Sequence, residues 1–187
     1  MRLAVLASGS GTILDAILSA GITVEVAVVD RPCPAVDVAA RHGTDVVLVE
    51  RESFGPDFDR DEYTMRVTAA LEGAGIELVA MAGFGTVLGQ AIQDVYGGRI
   101  VNTHPSLLPA FPGWHAVEEA VAYGVKVTGC TVHVATLEVD AGPILAQEAV
   151  VVEATDTVTT LHERIKTVER RLYPATLQAI LRRGSVT

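Results

Sequence analysis

Two cysteines are all the sequence holds, Cys33 and Cys130, far apart and in no pairing pattern. That excludes a disulfide framework and points to reduced thiols and a cytoplasmic location. Basic residues are also few, 14 against 23 acidic, leaving a formal charge of −9. Nucleic acid or an anionic membrane is therefore not the expected main partner, although backbone amides can still bind a small anion. No apolar run is long enough to span a membrane, and the opening "LAVLA" is too short for the apolar core of a signal peptide. Repeats, low-complexity segments and internal linkers are absent too. What is present is a chain of 187 residues, 49% hydrophobic, sized for a single domain with a full core.

The first half alternates between two periodicities. Short β-rich runs at 3–7, 24–29, 46–49, 78–82 and 99–102 are separated by helix-length stretches at 13–20, 35–42, 59–74 and 86–95. Gly21, Gly43 and Gly75 punctuate the helix-to-strand turns. This pattern predicts α/β architecture, a Rossmann-like, mostly parallel sheet with helices on both faces to make three layers. Beyond residue 113 the character changes. A helix over 115–123 precedes strands at 129–136 and 144–152, whose link "LEVDAGP" is too short for a helical crossover, so this C-terminal pair should be antiparallel. Val158, Leu161, Ile165, Val168 and Leu172 define a final amphipathic helix, capped by Asp156 or Thr157, bent at Pro174 and ended by Gly184.

Between the first strand and first helix lies "SGSGT", Ser8–Thr12. Glycines there let backbone approach a ligand, and a helix N-terminus favours a phosphate. An ordinary Gly/Ser turn is the plain alternative. A nucleotide P-loop would need lysine then Ser/Thr where Thr12 and Ile13 stand, and a dinucleotide fingerprint would need glycine where Leu14 stands. Asp30, ending the second strand, does occupy the position of a ribose-binding acid, which keeps a dehydrogenase in view.

The stretch "NTHPSLLPAFPG", residues 102–113, has a different logic. Asn102 and His104 are alternate residues on an extended chain and should face one space. Three prolines stiffen the loop that follows. His133, on the same strand face as Thr131, is as readily a satisfied core histidine as a functional one. His115 stands three residues before Glu118, but no further ligand has matching spacing, so no metal is expected. Asp140, in "VDAGP", reads as a turn residue from spacing alone, yet a working His104 would want a carboxylate nearby. Amide, imidazole and carboxylate without a Ser or Cys nucleophile suggest transfer to an attacking group that the substrate brings.

"SGSGT", "AGF" (82–84), "NTHPSLLPAFPG", "GCTVH" and "VDAGPILAQ" occur in this order in the folate-dependent formyltransferases, and the chain resembles that family over nearly its whole length. The resemblance implies the formyltransferase fold and transfer of a formyl group from 10-formyltetrahydrofolate, as co-substrate, to the primary amine of glycinamide ribonucleotide (GAR), with no metal. It implies that Asn102, His104 and Asp140 are catalytic, with Thr131, His133 and His115 in support. Gly9, Ser10, Gly11, Thr12, Ile13, Pro105 and Glu169 would bind the ribonucleotide. Arg60, Phe84, Gly85, Thr86, Val87, Leu88, Asn102, Leu137, Glu138, Val139 and Asp140 would line the folate cleft. Residues 1–100 would then be the phosphate-binding half and 101–187 the catalytic and folate-binding half of one domain. Partners would be small molecules, with monomer and homodimer both open.

The chain departs from the family pattern at Ile13, where a side-chain amide is usual, and at Gly85 and Thr86, in place of a methionine and a basic residue. Weaker phosphate binding and a looser pterin wall are the expected consequences. A formyltetrahydrofolate hydrolase would carry an extra N-terminal domain, and a methionyl-tRNA formyltransferase a C-terminal domain and basic surface; neither is expected here.

Overall fold

A computed structural model describes residues Met1–Thr187 and divides them into two units, Met1–Val101 and Asn102–Thr187. In the first unit the alternating pattern is realised as β1 (Leu3–Ala7), α1 (Thr12–Ser19), β2 (Val26–Val29), α2 (Ala35–Arg41), β3 (Asp45–Leu48), α3 (Arg60–Gly73), β4 (Leu78–Met81), α4 (Gln90–Tyr96) and the start of β5 (Ile100–His104). These strands pair in parallel in the order β3-β2-β1-β4-β5. Every residue of β1 and β2 is buried, which is why both read as continuous apolar runs rather than as alternation.

α4 begins four residues later than the periodicity predicts. Residues 85–89 are held out of the helix by bonds to distant side chains. The Gly85 N–H donates to Ser8 Oγ at 2.8 Å, the Thr86 hydroxyl reaches Asp30, and the Gly89 N–H donates to Thr64 Oγ1 at 2.8 Å. Local periodicity carries no trace of those partners.

The second unit opens on the last three residues of β5, so that strand runs through His104 instead of ending at Asn102. β6 (Val127–Val134) adjoins β5, and β7 (Ile144–Val151) adjoins β6. The β6–β7 pair is antiparallel as expected, with a register shift between Val132 and His133. Gly142 lets the connecting loop fold back tightly, since a Cβ there would meet the Val134 carbonyl oxygen at 1.8 Å. α5 (Ala116–Tyr123) and α6 (Val158–Arg183) pack Val117, Leu161 and Ile165 against Cys130 and Val150. Thr157 caps α6 in a reciprocal box with Thr160, and the helix continues through Pro174 to a left-handed Gly184. The fold class predicted from the pattern, a mostly parallel α/β sheet with an antiparallel C-terminal portion, is the one observed.

Candidate active site

Pleating decides what β5 presents. Asn102 and His104 fall on one side of the strand and Thr103 on the other. The Thr103 hydroxyl lies 3.3 Å from the Cys130 sulfur and also bonds Glu169 of α6. Burial, eased in part by Thr103, raises the Glu169 carboxyl above its ordinary value. Glu169 is thus on the side of β5 away from His104.

His104 is buried, and both ring nitrogens have partners. Nε2 is 2.7 Å from the Phe111 carbonyl oxygen, and Nδ1 is 3.2 Å from Asp140 Oδ2. A carbonyl can only accept, so Nε2 carries a proton. If Nδ1 were bare, its lone pair would face a carboxylate oxygen; a second proton turns that repulsion into a charge-assisted contact. His133 repeats the arrangement. Its Nδ1 donates to the Val134 carbonyl at 3.0 Å, while Nε2, buried and without a hydrogen bond, lies 3.5 Å from Asp140 Oδ1. One carboxylate therefore faces two imidazoles, each oriented by a backbone carbonyl on its other ring nitrogen.

Asp140 also accepts the Gly113 N–H at 2.8 Å. Burial pushes its carboxyl up, but the His133 contact, the Gly113 N–H and the His104 imidazole together leave it below the ordinary value, so the group is ionised. Asp140 and Phe111 are the two non-glycine residues with left-handed backbone, at φ 58° and 53°. Each such residue costs about 1 kcal/mol or more. Both hold His104, one through its side chain and one through its carbonyl, so the strain sits where the imidazole is aligned.

The proline loop is braced from β6 and β7. Thr131 Oγ1 donates to the Ser106 carbonyl and accepts the Leu108 N–H, and Gln147 Nε2 donates to both Thr131 Oγ1 and the Leu108 carbonyl. The Leu108–Pro109 peptide is cis. Phe111, Gly113, Ser106 and Gln147 were not singled out from sequence. Phe111, Gly113 and Ser106 act through backbone groups, which leave no compositional signal, and Gln147 lies in an alternating strand like any exposed polar residue. His115 is exposed at the start of α5, and Leu137, Glu138 and Val139 are exposed in the loop before Asp140.

In the first unit, Gly11 is the left-handed N-cap of α1 and no side chain caps that end. Its N–H groups are available to an anion, while Gly9, Ser10 and Thr12 are exposed around them. A Cβ on Gly11 would lie 2.8 Å from Ala35 Cα, so glycine is required there twice over. Ile13 is 6% exposed and its side chain belongs to the core, leaving only its N–H for a ligand. Arg60 is exposed at the start of α3, Val87 is exposed, and Phe84 and Thr86 are buried. Asp30 is fully buried and already accepts hydrogen bonds from Ser8 Oγ, Thr86 Oγ1 and the Arg31 guanidinium. With both oxygens bonded inside the protein and neither exposed, a ribose diol could not reach this carboxylate, which removes the dehydrogenase alternative.

Comparison with known proteins agrees. A family model described as formyl transferase matches residues 1–177. A phosphoribosylglycinamide formyltransferase of Mycobacterium tuberculosis (strain CDC 1551 / Oshkosh) is 46% identical, covering 98% of this chain and 86% of the relative. The enzyme of that name from Bacillus subtilis (strain 168) is 34% identical over 96% of this chain and 94% of its own. A crystal structure of phosphoribosylglycinamide formyltransferase from Bacillus halodurans superimposes with a TM-score of 0.88 at 40% identity, covering 97% of this chain and 95% of that one. An imidazole aligned on a buried carboxylate, on a chain matched almost from end to end, makes this protein a member of the formyl transferase family.

Proposed function

We propose that the enzyme transfers the formyl group of 10-formyltetrahydrofolate to the primary amine of GAR, giving formyl-GAR and tetrahydrofolate in purine biosynthesis. The observation that carries this reading is the His104–Asp140 contact, flanked by His133 and lacking a protein nucleophile. The nearby Cys130 thiol is buried, which pushes its pKa up to about 12, so it stays protonated and inert. The attacking group must come from the substrate, and the amine of GAR supplies it.

The amine attacks the formyl carbon, forming a C–N bond while the carbonyl electron pair moves to oxygen. Asn102 is the hydrogen-bond donor to that oxyanion, and His104, cationic beside Asp140, supplies positive charge in a buried setting. A direct hydrogen bond from His104 Nε2 would require its proton to leave the Phe111 carbonyl, so Phe111 aligns the ring in the substrate-free state. Asp140 then takes a proton from the attacking nitrogen, through water, and returns it by the same route to the leaving folate nitrogen as the oxyanion pair re-forms the carbonyl and the folate C–N bond breaks.

Gly9–Ile13 are assigned to GAR through the free N–H groups of α1, with Pro105 beside the reacting amine; Glu169 is assigned to GAR as well, reaching it past Thr103 from the other side of β5. Phe84–Leu88, Leu137–Val139 and Arg60 are assigned to the folate. Residues 1–100 are then the phosphate-binding half and 101–187 the catalytic half of one domain. The substrates are small molecules, and the location is cytoplasmic; no helix is long and apolar enough to cross a membrane.

The test is tetrahydrofolate release from 10-formyltetrahydrofolate with and without GAR. Release that depends on GAR, with formyl-GAR as product, is expected. Equal release without GAR would instead identify a hydrolase, and no release in either arm would require a different donor or acceptor.

A further inference from the structure

Asp30 is more than an occupied acid. It ends β2, and its oxygens gather the chain as it leaves two other strands, β1 and β4, both members of the adjacent series β2-β1-β4. Ser8, just past β1, donates to Asp30 Oδ2 at 2.9 Å and accepts the Gly85 N–H at 2.8 Å. Thr86, past β4, donates to the same oxygen at 3.2 Å. Thr86 Oγ1 in turn accepts from Arg51 Nη1 at 3.2 Å, and the Arg51 guanidinium is fixed over the rings of Phe54 and Phe58, at 4.4 and 4.0 Å. Arg31 grips both carboxylate oxygens at 2.9 Å. An ion pair with one partner buried and the other, Arg31, half-exposed is weak support for stability by itself, so an arrangement this complete invites a positional role. The carboxyl ends of parallel strands are where α/β sheets hold their ligands.

We propose that Asp30 is the positioning residue for the folate-facing segment Phe84–Leu88, acting through Ser8 and Thr86. This rests on the assignment of that segment to the folate under the proposed function. It replaces the looser pterin wall that glycine at 85 and threonine at 86 led us to expect. With no side chain at 85 and a short one at 86, the segment is held from behind by a hydroxyl, a backbone N–H and one buried carboxylate. The remainder of the anion loop has its own support, because the Gly9 carbonyl accepts the Ala35 N–H at 3.1 Å and Gly11 packs on Ala35. GAR binding should therefore be spared.

The experiment compares wild type with Asp30→Asn, Thr86→Val, the double variant and Thr86→Ser. Tetrahydrofolate affinity is read by calorimetry, and KM for both substrates by steady-state kinetics. Asp30→Asn and Thr86→Val should each weaken tetrahydrofolate binding and raise the formyl-folate KM about tenfold, with the GAR KM changed less than about threefold. The double variant should be no worse than Asp30→Asn, because one interaction is lost once, and Thr86→Ser should restore affinity. Undiminished affinity in Thr86→Val, an equal rise in GAR KM, or multiplied losses in the double variant would each overturn the proposal. Thr86→Val preserves shape and decides the matter if Asp30→Asn does not fold. A wild type that binds no tetrahydrofolate would sink the folate assignment and this inference together; a wild type that binds it, with unaffected variants, would sink the inference alone.

Discussion

The two units each bury a carboxylate below its ordinary value, and the difference between them separates holding from reacting. Asp30 faces a guanidinium and two hydroxyls, partners that stay as they are across the physiological range. Asp140 faces two imidazoles, whose ring nitrogens can each hold or release a proton, and one backbone N–H. Asp30 can only fix geometry. Asp140 can fix geometry and, in the role proposed for it, also pass a proton, and it is set on a left-handed backbone that Asp30 does not need.

The sharpest way to break that comparison is to remove the reacting side. His104→Ala and Asp140→Asn should each lower kcat by about 10²–10³-fold, the scale of losing one group that stabilises a developing oxyanion. GAR affinity, measured by calorimetry, should stay within about threefold of wild type. A large loss of GAR affinity with kcat intact would move these residues out of the chemistry and into binding.

Acid stability should distinguish the holding side. The Asp30 carboxyl is raised by burial, but bonds from Arg31, Ser8 and Thr86 outweigh this and leave it below 3.8. A folded value below the unfolded one contributes stability that is complete above about pH 4 and lost as pH falls through the folded value. Asp30→Asn should therefore lower Tm by roughly 2–6 °C at pH 7. Its Tm should then fall less steeply than that of wild type below pH 4, so that the two curves converge. Parallel curves over that range would show that Asp30 does not titrate as its surroundings require.

Much of this was legible because strand and helix periods are local. The parallel strands of the first unit, the antiparallel β6–β7 pair and the Thr157 cap all follow from neighbours a few residues apart. The shared side of Asn102 and His104 follows from pleating, but the carboxylate that meets His104 does not: Asp140 is 36 residues on and by spacing was a turn residue. Family resemblance, not periodicity, paired them. Phe111 and Gly113 escaped notice because a carbonyl and an N–H belong to every residue. The late start of α4 escaped for a related reason, since Ser8, Asp30 and Thr64 hold residues 85–89 from well outside any local window. For Asp30 the sequence suggests a ribose partner, because it marks the end of a strand but not what already fills the space there.

The smallest effect concerns the thiols, and it tests whether the side of β5 opposite His104 is as closed as its packing implies. Cys130 is fully buried among Val117, Val150, Leu161 and Ile165, with Thr103 against its sulfur, and burial holds its pKa at about 12. Thiolate is the reactive form, so native protein at pH 8 should leave Cys130 untouched by an aromatic disulfide reagent, while the half-buried Cys33 reacts. One thiol per chain should titrate quickly, and the second only after denaturation. Fast reaction of both would mean that the α5–α6 cover over Cys130 opens readily. Thr103 and Glu169 would then be mobile as well, and a strand whose far side is loose could not keep Asn102 and His104 at the fixed separation that oxyanion stabilisation demands.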